Sequence, residues 1–277
     1  MGHAGTLDPA ATGVLLVCLG QATRVVYILA EASKTYRAQV ELGRETDTYD
    51  GEGRVTRTGD PSPITEERVE AALGSFLGTI RQTPPMYSAV KHQGQPLYRL
   101  ARAGMEVPRR ERRADIYRLD LLEWRPPLIT MEVECSKGTY IRTLAHDLGQ
   151  VLGCGAHLKG LVRLRAGPFS LEDAIPLPQL EQAFGLGCWQ EFLYPIDFLL
   201  THLPAVIVDN DTGLAIRQGQ GITLEAQPQA ELCRAYSPEG KIIGLLRFCP
   251  ESGLWQPSKV FLPLDSTSST KLPPTNP

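Results

Sequence analysis

The sequence predicts a protein of class α+β, in which a mixed α/β domain is followed by a small β-rich domain. Strand-like alternation and helix-like periodicity succeed one another through the first 200 residues, as expected of strands packed with helices. Residues 205–262 instead break into short β segments separated by turn signals. A composition of 42% hydrophobic and 21% charged residues over 277 residues is typical of a globular protein with one or two domains.

Two strands are predicted near the start of the chain. The apolar run 14–19 is ended by Gly20 and predicts a buried strand. Residues 35–42 alternate between apolar and polar side chains, which predicts a strand with two different faces. Its apolar face consists of Tyr36, Ala38, Val40 and Leu42.

Two helices follow from 3.6-residue periodicity. The first spans residues 65–77, with Thr65 as N-cap, and its apolar face contains Val69, Ala72, Leu73, Phe76 and Leu77. The second spans residues 139–152, with Gly153 just past its end. The residues predicted to face the core from this second helix are Leu144, Leu148, Val151 and Leu152.

The β-rich end of the chain predicts a small barrel or sandwich. Its strand-like segments are 205–208, 222–224, 231–236, 241–248 and 258–262. Turn signals at 210–213 and 237–240 separate them. Residues 265–277 are rich in Ser, Thr and Pro and are predicted to be disordered.

Composition excludes several classes of protein. The longest apolar run has six residues, too few to span a bilayer, and the N-terminus carries no signal segment. The six cysteines include no C-x-x-C pair and no zinc-ligand spacing, so we expect free thiols, no metal site and a cytoplasmic location.

The net charge of −3 argues against a nucleic-acid partner, but the charge is unevenly distributed. Residues 41–70 hold nine acids against four bases, whereas residues 99–118 hold seven arginines against three acids. Residues 137–165 are also basic. Because salt confines each patch to a neighbourhood of roughly 10 Å, local basic surfaces still bind phosphates.

Three side chains are candidates for chemistry, although each has an ordinary structural explanation. Asp8 lies in a glycine-rich loop, where Pro9 favours an extended conformation and a fixed carboxylate; the alternative is a simple turn. The ordinary explanation for Tyr36 is packing within a strand, and the ordinary explanation for Arg142 is an exposed ion pair. His146 and His157 have no partner motif and are interpreted as helix-surface or core histidines.

The motifs around these residues resemble those of the TruB family of tRNA pseudouridine synthases. Residues 2–14 read Gly-His-Ala-Gly-Thr-Leu-Asp-Pro-Ala-Ala-Thr-Gly-Val, and residues 138–144 read Gly-Thr-Tyr-Ile-Arg-Thr-Leu. Further similarity covers Lys-Thr-Tyr at 34–36, Leu-Gly-x-x-Thr-Asp-Thr at 42–48, Thr-Pro-Pro-Met-Tyr-Ser-Ala-Val-Lys at 83–91, Gly-Ala-His-Leu at 155–158 and Leu-x-Arg-Leu at 161–164. The resemblance runs in register over residues 1–201, and a weaker one links the β-rich end, closing with residues 255–261, to the family's PUA-type RNA-binding domain.

The resemblance implies an organisation and a function. A catalytic domain with a mixed, largely antiparallel sheet is expected over 1–201, with a tRNA-gripping insertion at 83–113. A PUA-like β-barrel is expected over 202–264, followed by the tail 265–277. The implied reaction converts uridine 55 of the tRNA T-loop to pseudouridine, and the implied partner is the T-loop and T-arm of tRNA. No cofactor, metal or membrane is implied, and we expect a monomer.

Roles follow by position in these motifs. The resemblance implies that Asp8 is the catalytic aspartate, that Tyr36 lies against the target uracil and that Arg142 pairs with Asp8. Leu161 matches the residue that lines the pocket floor, and His3 the histidine that contacts the RNA loop. The other candidate substrate-binding residues are Lys34, Arg109, Arg110, Tyr140 and Arg163.

One departure from the family leaves alternatives open. Family members carry a few dozen residues before the first motif, including a Lys-Pro-x-Gly-x-Thr-Ser strand segment, and no Lys-Pro occurs in this chain. We expect the coding sequence to extend upstream of Met1. The family commonly has valine at this position, and a GTG codon for valine can be mistaken for a start codon. The alternatives are a tRNA-binding or folding module without catalysis and another Asp-dependent nucleoside enzyme. Whether Asp8 attacks C1′ or C6 or abstracts a proton also stays open.

Overall fold

A computed structural model describes residues 1–224 and 230–262 in two compact units. The first unit contains Met1–Cys18 and Val25–Trp189, and the second contains Leu19–Arg24 and the described residues from Gln190 onward. No helix in the described part of the chain is long and apolar enough to cross a membrane. The mixed α+β class predicted from the sequence is confirmed by the elements of both units.

The first unit is built on a seven-stranded sheet. Its strands, together with those of three small ribbons, are β1 (Gly2–His3), β2 (Thr12–Gly13), β3 (Val17–Cys18), β4 (Lys34–Leu42), β5 (Arg44–Thr46), β6 (Val55–Thr58), β7 (Gly78–Gln82), β8 (Lys91–His92), β9 (Gln95–Pro96), β10 (Arg112–Arg125), β11 (Leu128–Cys135), β12 (Ala156–Ala166) and β13 (Phe169–Ser170). Its helices are α1 (Val26–Glu31), α2 (Glu66–Gly74), α3 (Leu97–Arg102), α4 (Ile141–Leu152) and α5 (Leu177–Leu186).

The strands of the large sheet follow the order β13-β12-β4-β11-β10-β7, and β2 lies beside β12. The β2–β12 pair is parallel and the other pairs are antiparallel. The sheet is therefore mixed and largely antiparallel, as predicted. Strands β1–β3, β5–β6 and β8–β9 form separate two-stranded ribbons.

Helices α2 and α4 contribute their apolar faces to the core of this unit. Thr65 caps α2 by accepting a bond from the Arg68 amide at 3.4 Å, and Gly153 ends α4 with φ +83°. Leu144 and Leu148 of α4 are fully buried, each worth about 1.5–3 kcal/mol of hydrophobic stabilisation. These features confirm both predicted helices.

Three predictions for this unit are wrong in detail. Helix α2 ends at Gly74, which leaves Leu77 50% exposed. Val151 is 57% exposed because no neighbouring element covers that side of the last turn of α4. The run 14–19 is not one buried strand, because only Val17–Cys18 pairs with β1 as a strand. Val14 and Cys18 are buried, whereas Leu15, Val17 and Leu19 are exposed.

The β10–β11 hairpin, which holds the longest strand of the sheet, was not predicted, although residues 129–135 alternate between apolar and polar side chains. The pairing of these strands slips between Ile116 and Arg118 and again between Leu121 and Glu123. Each irregularity breaks the two-residue alternation by which a strand is detected.

The second unit is a four-stranded sheet with one α-helix. Its elements are β14 (Ala205–Ile207), α6 (Asn210–Arg217), β15 (Leu232–Tyr236), β16 (Ile242–Cys249) and β17 (Leu254–Val260). The sheet order is β14-β15-β16-β17, with the first pair parallel and the others antiparallel. Trp255, Leu246 and Ile216 lie at the centre of its core.

Four predictions about this unit require correction. Among the described residues the sheet runs from β14 to β17 without closing, so the predicted barrel is not found. Residues 210–213 form the first turn of α6 rather than a loop, because the Asp209 carboxylate caps the helix by accepting the Thr212 amide at 2.7 Å. Residues 222–224 contribute one bridge, between Ile222 and Trp255, and the last strand begins at Leu254 instead of residue 258. The predicted tail 265–277 lies outside the described residues.

Candidate active site

Asp8 lies in the loop between β1 and β2, and buried backbone contacts hold this loop in place. Gly13 of β2 lies opposite Arg163 of β12, with φ +101° and an ideal Cβ position 2.3 Å from the Arg163 carbonyl oxygen. Only glycine allows this approach. Arg163 Nε donates to the Val14 carbonyl at 2.6 Å and Nη2 to the Gly5 carbonyl at 3.2 Å. One buried guanidinium therefore spans both ends of the Asp8 loop.

Arg142, in the first turn of α4, binds the Asp8 carboxylate. Its Nη2 donates to Asp8 Oδ1 at 2.8 Å, and its Nε lies 2.8 Å from Oδ2. Nη2 also donates to the Tyr87 carbonyl at 2.8 Å. Because the Arg142 side chain is only 6% exposed, little solvent screens the ion pair.

A second carboxylate, that of Asp50, shares the same guanidinium. Arg142 Nη1 donates to Asp50 Oδ2 at 3.3 Å. The other oxygen, Oδ1, accepts the Thr48 hydroxyl at 2.6 Å and the Glu52 amide at 3.2 Å. The sequence analysis missed Asp50, although the Thr-Asp-Thr motif at 46–48 ends two residues before it.

The environment of Asp8 favours a carboxyl group that titrates at a higher pH than usual. Burial raises the pKa of Asp8, Arg142 lowers it, and the nearby Asp50 carboxylate raises it again, with a net upward shift. One positive charge faces two negative ones, so Arg142 only partly offsets the cost of burial. The result is a carboxylate that Arg142 holds in place while the Asp8 side chain stays 37% exposed.

Asp8 and Arg142 open onto a cleft of about 240 Å³. This is the volume of roughly eight water molecules, at about 30 Å³ each. Leu161 is one of its apolar lining residues, and Asp50 and Lys159 are among the polar ones. The remaining lining residues are Pro9, Ala10, Ala11, Gly51, Glu52, Leu158 and Gly160.

Tyr36 lies on β4, opposite Val133 on one side and Arg163 on the other. Burial raises the pKa of its phenol, with the Asp8 carboxylate contributing and Arg163 opposing. The phenol is therefore neutral at physiological pH and offers a ring face and a hydroxyl rather than a base. Tyr36 is not among the residues that line the cleft of Asp8 and Arg142.

Lys34 and Arg163 are located inside the unit rather than on an RNA-facing surface. Arg163 is 1% exposed, and its donors bond to loop carbonyls. Lys34 is 5% exposed and its Nζ donates to the carbonyls of Ala30 and Ala32 at 2.7 and 2.6 Å, at the end of α1. Burial, with Arg163 nearby, lowers the pKa of Lys34. Both cations shape the backbone around the site.

Tyr140 and His3 do not line the cleft. Tyr140 precedes α4, where its amide donates to Gln82 Oε1 at 2.9 Å and its carbonyl accepts Gln82 Nε2 at 3.2 Å. Gln82 is buried and was missed by the sequence analysis. His3 is exposed on β1, away from the contacts of Asp8 and Arg142.

Segment 83–113 contains a second cavity, of about 490 Å³. Arg109 and Arg110 both line it, together with Lys91, His92, Arg112 and the uncharged residues Pro84, Val90, Gln93, Leu97 and Pro108. Arg109 Nη1 also donates to the Pro84 carbonyl at 3.1 Å. The cavity wall is thus cationic and contains no acidic residue.

The basic stretch 99–118 does not form one continuous positive surface. Arg113 pairs with Asp115 at 3.2 Å, and Arg118 pairs with both Asp120 and Glu132. The positive charge is concentrated at the second cavity. Within residues 1–224 and 230–262, no group of three or more His, Cys, Asp or Glu side chains is arranged to hold a metal ion.

Comparison with known proteins places these features in a family context. Residues 1–141 match the model described as "TruB family pseudouridylate synthase (N terminal domain)", and residues 142–201 match "tRNA pseudouridylate synthase B C-terminal domain". The chain is 46% identical over 263 residues to a tRNA pseudouridine synthase B of Dehalococcoides mccartyi strain 195, covering 95% of this chain and 87% of that protein. It is 46% identical over 244 residues to the protein of the same name from Thiobacillus denitrificans, covering 88% and 81%.

Solved structures show the same similarity in three dimensions. A chain of a Cbf5-Nop10-Gar1 complex superposes with a TM-score of 0.69 at 28% identity, covering 95% of this chain and 76% of that chain. A chain of an H/ACA RNP bound to a substrate RNA containing 2′-deoxyuridine superposes with a TM-score of 0.68 at 25% identity, covering 95% and 77%.

Proposed function

The chain belongs to the TruB family of pseudouridylate synthases, and on that premise we propose that it uses Asp8 to isomerise uridine 55 in the T-loop of tRNA. It is a tRNA pseudouridine synthase, an isomerase. The observation that carries the assignment of Asp8 is its contact with the buried Arg142 at the edge of a cleft. Residues 1–201 are proposed as the catalytic domain.

The reaction breaks the bond between N1 of uracil and C1′ of ribose and forms a bond between C5 and C1′. The proton at C5 is lost and N1 gains one, so the overall change is an isomerisation without oxidation or reduction. The chemistry needs an ionised carboxylate, acting as a nucleophile or as a base. Arg142 favours the ionised form of Asp8 against the effect of burial.

The target base must leave the stack of the T-loop to reach the cleft, at a cost of a few kcal/mol. Stacking on an aromatic side chain returns about 1–3 kcal/mol per base. Tyr36 on β4 is proposed to supply that stacking, and Leu161, which lines the cleft, to form the apolar floor. Tyr140 at the start of α4 and the exposed His3 are proposed to contact the RNA around the extruded base.

Recognition of the T-arm is assigned to the cationic second cavity. Arg109 and Arg110 line it within the proposed insertion 83–113. Contacts of Arg and Lys with phosphates supply much of the affinity of proteins for nucleic acids. Lys34 and Arg163 contribute through the backbone that they hold. Residues 202–264 are proposed as a PUA-like RNA-binding domain. We also propose a cytoplasmic monomer that acts without a cofactor, because the isomerisation involves no oxidation or reduction.

The test compares the wild type with Asp8→Asn on a tRNA T-arm transcript, and pseudouridine is mapped at each position. The wild type is expected to modify position 55 alone, and a transcript with cytidine at 55 to give no product. Asp8→Asn is expected to give no product while binding the transcript at least as tightly, because the substitution removes a negative charge facing RNA.

The matched control is Asp60→Asn, an exposed carboxylate that bonds only within its own turn to Ser62 in the contacts described. It is expected to retain full activity. An active Asp8→Asn enzyme contradicts the proposed role of Asp8. A wild type that binds the transcript but forms no pseudouridine supports the alternative, a tRNA-binding or folding module.

A further inference from the structure

Tyr49, which immediately precedes Asp50, has a backbone conformation that demands support from its surroundings. Its φ is +65°, in the left-handed region where a bulky L residue is strained. Asp50 continues directly from this residue and directs its carboxylate at Arg142 Nη1. The direction of the Asp50 side chain therefore depends on whether Tyr49 keeps this conformation.

Three contacts hold Tyr49. Its amide donates to the Thr46 carbonyl at 3.2 Å, and its carbonyl accepts the Leu158 amide of β12 at 2.9 Å. Its ring stacks on His146, with centroids 4.0 Å apart and planes 13° apart. The two backbone bonds fix the peptide groups on either side of Tyr49, and the ring contact fixes its side chain.

His146 lies on α4, four residues after Arg142. Residues four apart project from the same side of a helix. One rigid helix therefore carries both the guanidinium that Asp50 binds and the ring against which Tyr49 packs. The Asp50–Arg142 bond is thus set from both ends by α4.

We propose that the Tyr49–His146 stack is a positioning device for the active site, which holds the Asp50 turn so that Asp50 orients Arg142 against Asp8. The inference rests on the proposed function of that site and adds two positioning residues to it. Neither side chain lines the cleft, so their effect passes through Asp50 and Arg142.

A purely structural role makes a different prediction. The Nδ1 atom of His146 is buried and has no hydrogen-bond partner among the described residues, an arrangement that costs stability. Burial also lowers the pKa of His146, so the ring is neutral and stacks as an aromatic group rather than a cation. Leucine at this position removes the orphaned nitrogen and keeps a similar volume. If the residue only packs, His146→Leu is as stable and as active as the wild type.

The experiment measures single-turnover pseudouridine formation on the T-arm transcript, transcript binding and thermal stability. His146→Phe and Tyr49→Phe keep both rings and are expected to react within about two-fold of the wild type. His146→Leu is expected to lower the rate ten-fold or more, with Kd within two-fold and no loss of Tm. Tyr49→Gly, which adopts positive φ without strain, is expected to show the same split between rate and binding.

A double-mutant comparison tests whether the Tyr49–His146 stack acts through Asp50. If the stack acts through Asp50, then adding His146→Leu to Asp50→Asn slows the reaction no further than Asp50→Asn alone. Hydrogen exchange gives a readout independent of activity, and His146→Leu is expected to speed exchange of amides in residues 46–54 while α4 stays protected.

Three results would overturn the proposal: an unchanged rate in His146→Leu, additive losses in the double mutant, or unchanged exchange in residues 46–54. A parallel loss of binding and Tm in His146→Leu would instead identify a folding role and also exclude it. An inactive wild type signals failure of the proposed function, whereas an active His146→Leu signals failure of the positioning role alone.

Discussion

Replacing Arg142 with lysine separates the geometry of the central ion pair from its charge. The guanidinium donates to Asp8 and Tyr87 through Nη2, places Nε 2.8 Å from Asp8 and reaches Asp50 through Nη1. Lysine carries the same charge on one nitrogen and cannot reproduce this planar fork. Arg142→Lys therefore tests whether the fork, rather than the charge alone, supports the reaction.

The expected size of the effect follows from the contacts. A hydrogen bond to a charged group contributes about 1.5–3 kcal/mol, and every 1.36 kcal/mol lost from transition-state stabilisation slows a reaction ten-fold. Loss of one such bond from Arg142 corresponds to roughly a 10- to 150-fold lower single-turnover rate. The assay is pseudouridine formation with enzyme in excess, followed at several pH values. An Arg142→Lys enzyme as fast as the wild type would refute the reasoning.

The pH dependence of the rate tests the role of the Arg142 charge separately. Activity requires ionised Asp8, whose pKa is raised by burial, so the wild-type rate is expected to fall on the acid side at a pH above the ordinary aspartate value of 3.8. Arg142 lowers this pKa, so Arg142→Gln is expected to move the acid limb to higher pH, whereas Arg142→Lys leaves it in place. An acid limb that does not move in Arg142→Gln would show that Arg142 does not control the ionisation of Asp8.

Two further predictions concern the Asp8 loop and the second cavity. Gly13→Ala is expected to lower Tm more than Gly153→Ala and to abolish activity, because a Cβ at position 13 meets the Arg163 carbonyl whereas a Cβ at position 153 meets nothing within 4 Å. Gly153→Ala therefore measures the cost of positive φ alone, about 1–2 kcal/mol. Equal losses of Tm in the two variants would contradict the close approach of Gly13 to Arg163. Arg110→Ala is expected to weaken tRNA binding and to reduce the slope of log K against log salt by about 0.7–0.9. Arg118→Ala is the control for that slope, because its guanidinium already pairs with Asp120 and Glu132, and the same change in both variants would contradict the assignment.

The sequence predicted those parts of the fold in which each residue's position depends on its near neighbours. Strand β4 and helix α4 were recognised because alternation and 3.6-residue periodicity persist along them. Strand β10 was missed because two irregularities in its pairing break that periodicity, whereas β11 keeps a regular alternation that the sequence analysis did not use. Residues 210–213 were interpreted as a turn because Asn, Asp and Gly are common in turns, yet Asp209 uses the same local polarity to start a helix.

The site shows the same division between local and long-range information. Asp8 and Arg142 lie within recognisable motifs, and the structure brings them together. Asp50 reaches Arg142 because its turn bridges to Leu158 on β12, more than a hundred residues later in the sequence. Nothing in the local pattern signals such a contact. Arg163 also carries a positive charge in a family motif, but its burial under the Asp8 loop depends on β2 pairing with β12.

Net charge illustrates why residue counts mislead for an RNA-binding enzyme. The chain carries −3 overall, but screening limits each charge to a range of about 8 Å at physiological salt. RNA therefore responds to the charge of each local surface. On the β10–β11 hairpin Arg118 is neutralised by its acidic neighbours. The second cavity is lined by Arg109, Arg110 and Arg112 and by no acidic residue, although Arg109 also pairs with Glu106 at 3.4 Å. We propose that the anionic substrate is attracted to this part of segment 83–113, whose Tyr87 carbonyl accepts a bond from Arg142 at 2.8 Å.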